Sequence, residues 1–262
     1  MKRYCLYLFI LIGISCSAEL KAQKNGTVYK GNDPAVRYTG RTLVSPDGSV
    51  AFDWVGTYLE TRFTGGKLSV KVSETGTSYY NVFVDGKLHK VVKVCGTDTL
   101  IHLVSGIDKR IHSLKIQKRS EGEFGKTTVH QFVLSGSGRL AEEPAVRTRH
   151  IEFIGNSLTC GYGTDGKHRD EPFLVETENC NLTFASMVAR YYDADYTLIA
   201  HSGRGAARNY GDSVRVSKVT MKDRMLNTFD EDLTHKWNFK EYRPDLVVIN
   251  LGSNDFSTEP HP

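Results

Sequence analysis

The sequence has no hydrophobic run long enough to cross a bilayer, which requires about 20 consecutive apolar residues. The apolar stretch over residues 6–14 is short and follows Lys2 and Arg3. A positive start followed by a short apolar segment is typical of a cleaved export signal. We therefore predict a signal peptide over residues 1–22, a secreted or periplasmic protein that begins at Gln23, and no transmembrane segment.

Cysteine is scarce, with five residues in the chain. Cys5 and Cys16 lie in the predicted signal. Cys16 offers an alternative in which it carries a lipid anchor, but Gly13 stands where a larger aliphatic residue is usual in such signals. We therefore favour soluble export over lipid anchoring at Cys16.

The remaining cysteines are Cys95, Cys160 and Cys180, an odd number for an oxidising compartment. Two alternatives remain open for these cysteines. Cys160 and Cys180 form a disulfide in one, and all three are free, half-buried thiols in the other. No Cys-x-x-Cys pair and no His/Cys cluster has the spacing of zinc ligands. The sequence thus gives no indication of a metal site, and we predict no cofactor.

The chain also lacks a large excess of one charge. Its formal net charge is +4, and the basic residues are scattered along the sequence. This pattern lacks the clustered basic surface of a nucleic-acid-binding protein. The chain has no repeats of solenoid length and no low-complexity segment. It has 262 residues, 39% hydrophobic and 24% charged, which suits one large or two ordinary globular domains.

The first half contains short alternating runs between residues 36 and 135. Apolar and polar side chains alternate over residues 67–73, as in a half-buried strand. Asp85 and Gly86 separate two further runs, which is a strong hairpin signal. Regularly spaced strands without helical periods predict an antiparallel β-sandwich of jelly-roll type over residues 23–140.

Aromatic residues of this half have two interpretations. Trp54, Tyr79 and Tyr80 could stack on sugar rings if they were exposed. They lie in runs with strand-like alternation, so we expect them in the core of the sandwich instead.

The pattern changes after residue 138. Three apolar runs alternate with two helical segments, over residues 150–155, 182–192, 196–200, 215–229 and 246–251. Strands that are apolar on both faces and alternate with helices form parallel sheets. We predict a parallel α/β domain over residues 148–262. The first helix should bury the face formed by Leu182, Ala185, Val188, Ala189 and Tyr192.

Each predicted strand of this domain ends in a short polar turn that contains glycine. The turns are Gly155-Asn156-Ser157-Leu158-Thr159, His201-Ser202-Gly203-Arg204-Gly205 and Gly252-Ser253-Asn254-Asp255. Parallel strands bring such turns to one edge of the sheet, where active sites form. Ser157 is therefore our candidate nucleophile. The N–H groups of Ser157 and Gly203 and the amide of Asn254 are candidate donors of an oxyanion hole for ester cleavage.

Other polar residues near these turns have weaker assignments. Arg204, Arg208, Asn209 and Tyr210 follow the second turn. They could contact a sugar substrate or form the solvated start of a helix. Asp255 is expected to orient its turn rather than act as a base.

The three turns resemble blocks I, II and III of the SGNH/GDSL hydrolases, with Asn156 where that family often has Asp. The first half resembles the jelly-roll domain of carbohydrate esterase family 2, on the motifs Gly40-Arg41, 52–56, 63–65 and 80–86. The resemblance implies a flavodoxin-like SGNH domain behind a sandwich. It also implies removal of acetyl groups from plant polysaccharides or oligosaccharides, with Ser157 as nucleophile and Gly203 and Asn254 in the oxyanion hole.

A serine esterase also needs a general base. The resemblance implies a histidine in a late block, whereas His261 is the only histidine after Asn254. His261 lies on the loop that leaves the third strand, and His201 is expected to be structural. We therefore expect an incomplete SGNH domain, inactive without its base, whose third strand leaves a hydrophobic edge prone to aggregation.

Two further functions compete with polysaccharide deacetylation. One is hydrolysis of lipid or small esters, which differs in the preferred acyl length. The other is a non-catalytic carbohydrate-binding protein with a vestigial SGNH half. The presence of Ser157, Gly203 and Asn254 together favours catalysis.

Overall fold

The computed structural model describes residues 26–142 and 145–257. The predicted signal peptide, Cys16 and His261 lie outside these residues. Among the described residues, no helix has the length and apolar character needed to cross a bilayer.

The first half forms one antiparallel sheet of ten strands that curls into a sandwich. The strands are β1 (Gly26–Lys30), β2 (Val36–Thr39), β3 (Leu43–Val44), β4 (Val50–Phe52), β5 (Tyr58–Thr64), β6 (Leu68–Val84), β7 (Lys87–Val104), β8 (Ile111–Lys118), β9 (Thr127–Ser135) and β10 (Arg139–Leu140). Their order is β10-β5-β8-β6-β9-β4-β3, with β1 on β9, β2 on β5 and β7 on β6. This confirms the predicted sandwich.

The long strand β6 gives the sheet its curvature. Residues 68–74 of β6 pair with β9, and residues 80–84 pair with β8, with register shifts near Glu74 and Thr77. Such irregularities bend a strand and increase its twist. The predicted hairpin joins β6 to β7, where Asp85 and Gly86 have φ of 49° and 75°. Positive φ at both positions is the geometry that Asp-Gly turns favour.

The alternation of apolar and polar residues along the strands determines which side chains form the core of the sandwich. Leu68, Val70 and Val72 are buried as predicted, and they pack with Phe132 and Leu134 from β9. Burial of such side chains contributes roughly 1.5–3 kcal/mol each before entropic costs.

The second half forms a three-stranded parallel sheet of order β12-β11-β13. Its elements are β11 (His150–Gly155), α1 (Ser157–Cys160), α2 (Phe184–Tyr191), β12 (Asp195–Ala200), α3 (Met221–Arg224) and β13 (Leu246–Asn250), with 3₁₀ turns at Val175–Thr177 and Cys180–Leu182. The parallel pairing confirms the predicted α/β class.

The predicted helix over residues 215–229 was largely wrong, because only Met221–Arg224 is α-helical. Ser217 Oγ accepts the N–H of Asn209 at 2.8 Å. This side-chain bond holds the preceding segment as a loop, since serine hydroxyls compete with helical backbone bonds. The capping box of Thr220 and Asp223 then starts the helix at Met221.

The buried face of α2 also differs from its prediction. Ala185, Ser186 and Ala189 are buried, whereas Leu182 and Val188 are 40% and 38% exposed. Small side chains let the helix approach the sheet closely, so the larger apolar residues turn outward.

The two halves share a buried interface. Trp54 is fully buried, but it packs with Ile154, Ile199 and Met221 of the second half rather than in the sandwich core as predicted. Tyr80, by contrast, lies in the sandwich core. Gly56 fits beneath Leu198, where an added Cβ would lie 2.6 Å from Leu198 Cδ1.

Candidate active site

The three polar turns start at one level of the parallel sheet. Gly155 at the end of β11 pairs with Ala200 of β12 and with Asn250 of β13. The chain therefore leaves all three strands at the same edge, as the sequence predicts.

Ser157 is the first residue of α1 and is half-buried. Asn156 caps this helix, because its side chain accepts the N–H of Leu158 at 3.2 Å. Gly155 leaves no space for a side chain, since an added Cβ would lie 2.0 Å from Thr159 Oγ1. Within residues 26–142 and 145–257, neither the N–H nor the hydroxyl of Ser157 has a hydrogen-bond partner.

Hydrogen bonds join the three turns to one another. The amide of Asn156 donates to Ser253 Oγ at 2.9 Å, which links the first turn to the third. The amide of Asn254 donates to the carbonyl of Arg204 at 2.8 Å, which links the third to the second. Asn254 retains a second amide hydrogen, because a primary amide has two.

Gly203 has φ of 74°, a left-handed conformation that glycine adopts readily. Its carbonyl accepts the N–H of Tyr210 at 2.8 Å, and its own N–H has no acceptor in the described part of the chain. The backbone donors of Ser157 and Gly203 are thus both available to a ligand.

Asp255 belongs to the third turn, but its side chain stabilises the backbone that follows the second turn. Its carboxylate accepts the N–H groups of Ala206, Ala207 and Arg208 at 2.9, 2.6 and 2.9 Å. Partial burial opposes ionisation, yet these bonds lower the pKa of Asp255. The carboxylate therefore acts as an anchor between turns.

The residues predicted to face the substrate have separate environments. Tyr210 is 68% exposed beside Gly203, and Arg204 and Arg208 are half-buried. Asn209 is buried, and its amide bonds the N–H of Gly205 and the carbonyl of Val219. Asn209 therefore shapes the loop, and no helix starts at these residues.

His201 is buried and its Nδ1 lies 2.8 Å from Asp230 Oδ2. Its Nε2 faces Glu123 Oε2 at 3.7 Å rather than the hydroxyl of Ser157. Among the described residues, no histidine hydrogen-bonds Ser157, and His261 lies outside them. The described residues therefore identify no general base for Ser157.

Cys160 and Cys180 are both buried and free, so the disulfide alternative is not realised. Burial raises the pKa of Cys180 to about 12 and that of Cys160 well above its usual value. Both groups are therefore neutral thiols that pack in the core of the second half. Cys95 is also free and is exposed.

Two residue clusters near the site were not apparent from sequence spacing. Glu121, Cys160 and Glu178 place ligand-type atoms within 4.8 Å of one another, as do His201, Asp230 and Glu231. In the second cluster the guanidinium of Arg224 already bonds both carboxylates, at 2.9 and 2.7 Å. Neither cluster has a local motif, because Glu121, Cys160 and Glu178 are far apart in the chain, and His201 precedes the Asp230-Glu231 pair by 29 positions.

Tyr162 is a further residue that the sequence did not single out. Its N–H bonds the carbonyl of Ser157 at 3.2 Å, and its side chain is 49% exposed. The ring stacks on Phe173 with centroids 3.8 Å apart, and Phe173 stacks on Phe124 of the sandwich at 5.7 Å. These contacts fix an exposed aromatic ring near the candidate nucleophile.

Both halves match known families. Residues 38–144 match the family described as carbohydrate esterase 2 N-terminal, and residues 151–261 match the GDSL-like lipase/acylhydrolases. The fold and these matches define a chain of the carbohydrate esterase 2 type, in which a GDSL-like region follows the N-terminal sandwich.

Relatives agree with this class. The chain is 35% identical over 227 residues to the cellulase/esterase CelE of Acetivibrio thermocellus, covering 87% of this chain and 27% of that protein. It is 33% identical over 226 residues to an acetylxylan esterase / glucomannan deacetylase of Cellvibrio japonicus, covering 84% of this chain and 61% of that protein.

A solved structure is similar over both halves. It is a family two carbohydrate esterase from Clostridium thermocellum in complex with cellohexaose, with 35% identity and a TM-score of 0.81. The match covers 86% of this chain and 67% of that one. The chain belongs to carbohydrate esterase family 2.

Proposed function

We propose that the protein is an exported serine esterase that removes O-acetyl groups from plant-type polysaccharides or oligosaccharides. The observation that carries this proposal is the bonded set of three turns around Ser157. Two free backbone N–H groups and one amide hydrogen of Asn254 lie in these turns, while Asn254 also ties the second turn to the third.

These groups suit acyl transfer. The hydroxyl oxygen of Ser157 attacks the carbonyl carbon of the acetyl ester, and the carbonyl oxygen becomes negatively charged. The N–H groups of Ser157 and Gly203 and the amide of Asn254 would stabilise that charge. The C–O bond to the sugar then breaks, the sugar leaves as an alcohol, and water releases acetate from Ser157. A base that moves the protons completes the reaction.

Carbohydrate is the substrate class that the surroundings of the site favour. Tyr162 beside Ser157 and Tyr210 beside Gly203 expose aromatic rings that could pack against pyranose rings. The related esterase from Clostridium thermocellum was solved with cellohexaose. Two exposed aromatic residues thus follow the turns that carry Ser157 and Gly203, where they could contact a bound sugar.

The decisive experiment measures acetate release by the intact protein from acetylated xylan and glucomannan, with long-chain acyl esters as competing substrates. Ser157→Ala should abolish release, while Ser213→Ala, which changes an exposed serine outside the three turns, should not change it. Faster cleavage of long-chain esters would identify a lipid esterase. If the wild type binds glycan but releases no acetate, and Ser157→Ala binds glycan equally well, the protein is a binding protein and the proposal is wrong.

A further inference from the structure

Glu121 lies in the sandwich half but its side chain reaches the second turn of the candidate site. It follows β8 and directly precedes a 3₁₀ turn at Gly122–Phe124. The residue is fully buried, and its carboxylate accepts both the N–H and the hydroxyl of Ser202. Ser202 immediately precedes Gly203, one of the candidate oxyanion donors.

The backbone around Glu121 is held firmly. Its N–H donates to Glu178 Oε2 at 3.0 Å, and its carbonyl accepts Lys118 Nζ at 3.1 Å. The next residue, Gly122, packs so closely on Asp230 that an added Cβ would lie 2.8 Å from Asp230 Cβ. The backbone that carries the carboxylate is therefore rigid. A residue that positions another group requires such a rigid support.

Two acidic groups beside the Glu121 carboxylate retain their protons. Burial, the charge of Glu121 and a hydrogen bond to it raise the pKa of Glu178 far above its usual range. Burial likewise raises the pKa of Cys160, the last residue of α1. Glu178 and Cys160 are thus neutral at physiological pH, and the Glu121 carboxylate lies within 4.8 Å of both while it bonds Ser202.

We propose that Glu121 is a positioning residue through which the sandwich orients the oxyanion hole of the second domain. The proposal rests on the proposed esterase function. The N–H of Gly203 belongs to the peptide unit that joins it to Ser202, so fixing Ser202 by two hydrogen bonds sets the direction of that N–H. Without the carboxylate, a turn that contains Gly203 and Gly205 would sample other orientations.

The first test compares Glu121→Ala and Glu121→Gln in the intact protein, with acetate release as the readout. Loss of one oxyanion donor lowers kcat by about 10²–10³. We expect Glu121→Ala, which misdirects rather than removes the donor, to lower kcat roughly 10- to 100-fold with KM within about twofold. Glu121→Gln retains an acceptor for Ser202 and should recover part of that loss. The matched control is Glu123→Gln, two residues away and partly exposed, which should leave kcat unchanged.

Ser202→Ala provides a second variant that leaves the buried carboxylate in place. It should lower kcat roughly threefold to tenfold, and in the Glu121→Ala background it should add no further loss, because the two groups act as a unit. Wild-type kcat in folded Glu121→Ala, with only a lower melting temperature, would show that Glu121 merely supports the fold. If Glu121→Ala does not fold, an unchanged kcat in Ser202→Ala overturns the inference. Acetate release by Ser157→Ala would instead refute the esterase function itself.

Discussion

The amide of Asn254 has two hydrogens, and the structure uses one of them to bond the carbonyl of Arg204. The other remains for a ligand, so one side chain both orders a turn and offers a donor. We expect Asn254→Ala to lower kcat for acetate release about 10²–10³-fold in the intact protein. Ser257→Ala is the control, because Ser257 Oγ bonds the carbonyl of Asn254 at 2.7 Å without contributing a donor to the site. Equal activity of both variants would exclude Asn254 from the oxyanion hole.

His201 supports a pH prediction at the same scale. Burial alone would lower its pKa, but the hydrogen bond and charge of Asp230, with the charge of Glu121, raise it. A raised folded pKa means that the stabilisation is complete below the unfolded pKa of about 6.5 and is lost as pH rises through the folded value. The charged groups that face the ring are Asp230, Glu231, Glu123, Glu121 and Arg224.

His201→Gln should therefore destabilise the protein more at pH 5.5 than at pH 8.5, as measured by thermal unfolding. His235→Gln is the control, because His235 pairs with Asp232 on the surface, where ion pairs contribute little. A destabilisation by His201→Gln that is the same at both pH values would show that folding does not raise the pKa of His201.

Local signals explain which site residues the sequence could predict. Ser157, Gly203 and Asn254 each follow an apolar strand, so the period of the strand and the polar turn after it are both visible in the sequence. Glu121 bonds Ser202 across 81 positions, and Tyr162 depends on stacking with Phe173. No local pattern encodes such contacts, and this is why sequence reasoning missed them.

At the scale of elements, the sequence also predicted correctly the structure that local residues determine, and failed where distant residues determine it. The hairpin between β6 and β7 was predictable because Asp85 and Gly86 impose their own conformation. The segment over residues 215–229 has helical periodicity, but the bond between Ser217 and Asn209 competes with it. Tertiary hydrogen bonds therefore decided the structure where the local propensity was weak.

Strand β13 carries an unusual surface for a parallel strand. Leu246, Val247 and Ile249 are 52%, 45% and 66% exposed. It pairs with β11 along one edge, and no other described strand pairs with it. Apolar edge strands promote association. We expect the 262-residue chain to self-associate and Ile249→Lys to reduce this, as measured by light scattering. Lys87→Glu, on the exposed end of β7, should not reduce self-association. A wild-type chain as monodisperse as the Ile249→Lys variant would contradict the prediction.

At the scale of the whole molecule, a buried ion cluster joins the two halves. Asp195 of β12 bonds Arg37 of β2 at 2.6 Å, Tyr58 of β5 at 2.7 Å and Arg147, which lies between β10 and β11, at 2.8 Å. Burial opposes ionisation, but the bonds from Arg37 and Tyr58 lower the pKa of Asp195. Its stabilisation is therefore present above the unfolded pKa of about 3.9 and is lost as pH falls through the folded value.

Asp195→Asn should lower the free energy of unfolding by about 2 kcal/mol at pH 7, because it replaces the charged acceptor of the bonds from Arg37, Tyr58 and Arg147 by a neutral amide. Glu60 remains as a carboxylate partner of both arginines. Asp193→Asn is a matched control, since Asp193 also pairs with Arg147 but its side chain is 90% exposed. It should change stability by less than about 0.5 kcal/mol. Denaturant unfolding of both variants measures the difference, and similar values for the two would show that the buried cluster does not couple the halves.

The interface also has a consequence for synthesis on the ribosome. Arg41 is fully buried and donates to the carbonyls of Met225 and Asn227, and Arg119 donates to those of Glu176 and Glu178. Both arginines belong to the half that is translated first, whereas these acceptors belong to the half that is translated after it. The nascent sandwich thus emerges with two guanidinium groups that must stay hydrated until the acceptors arrive. Its final packing is a late event that follows the completion of the α/β half.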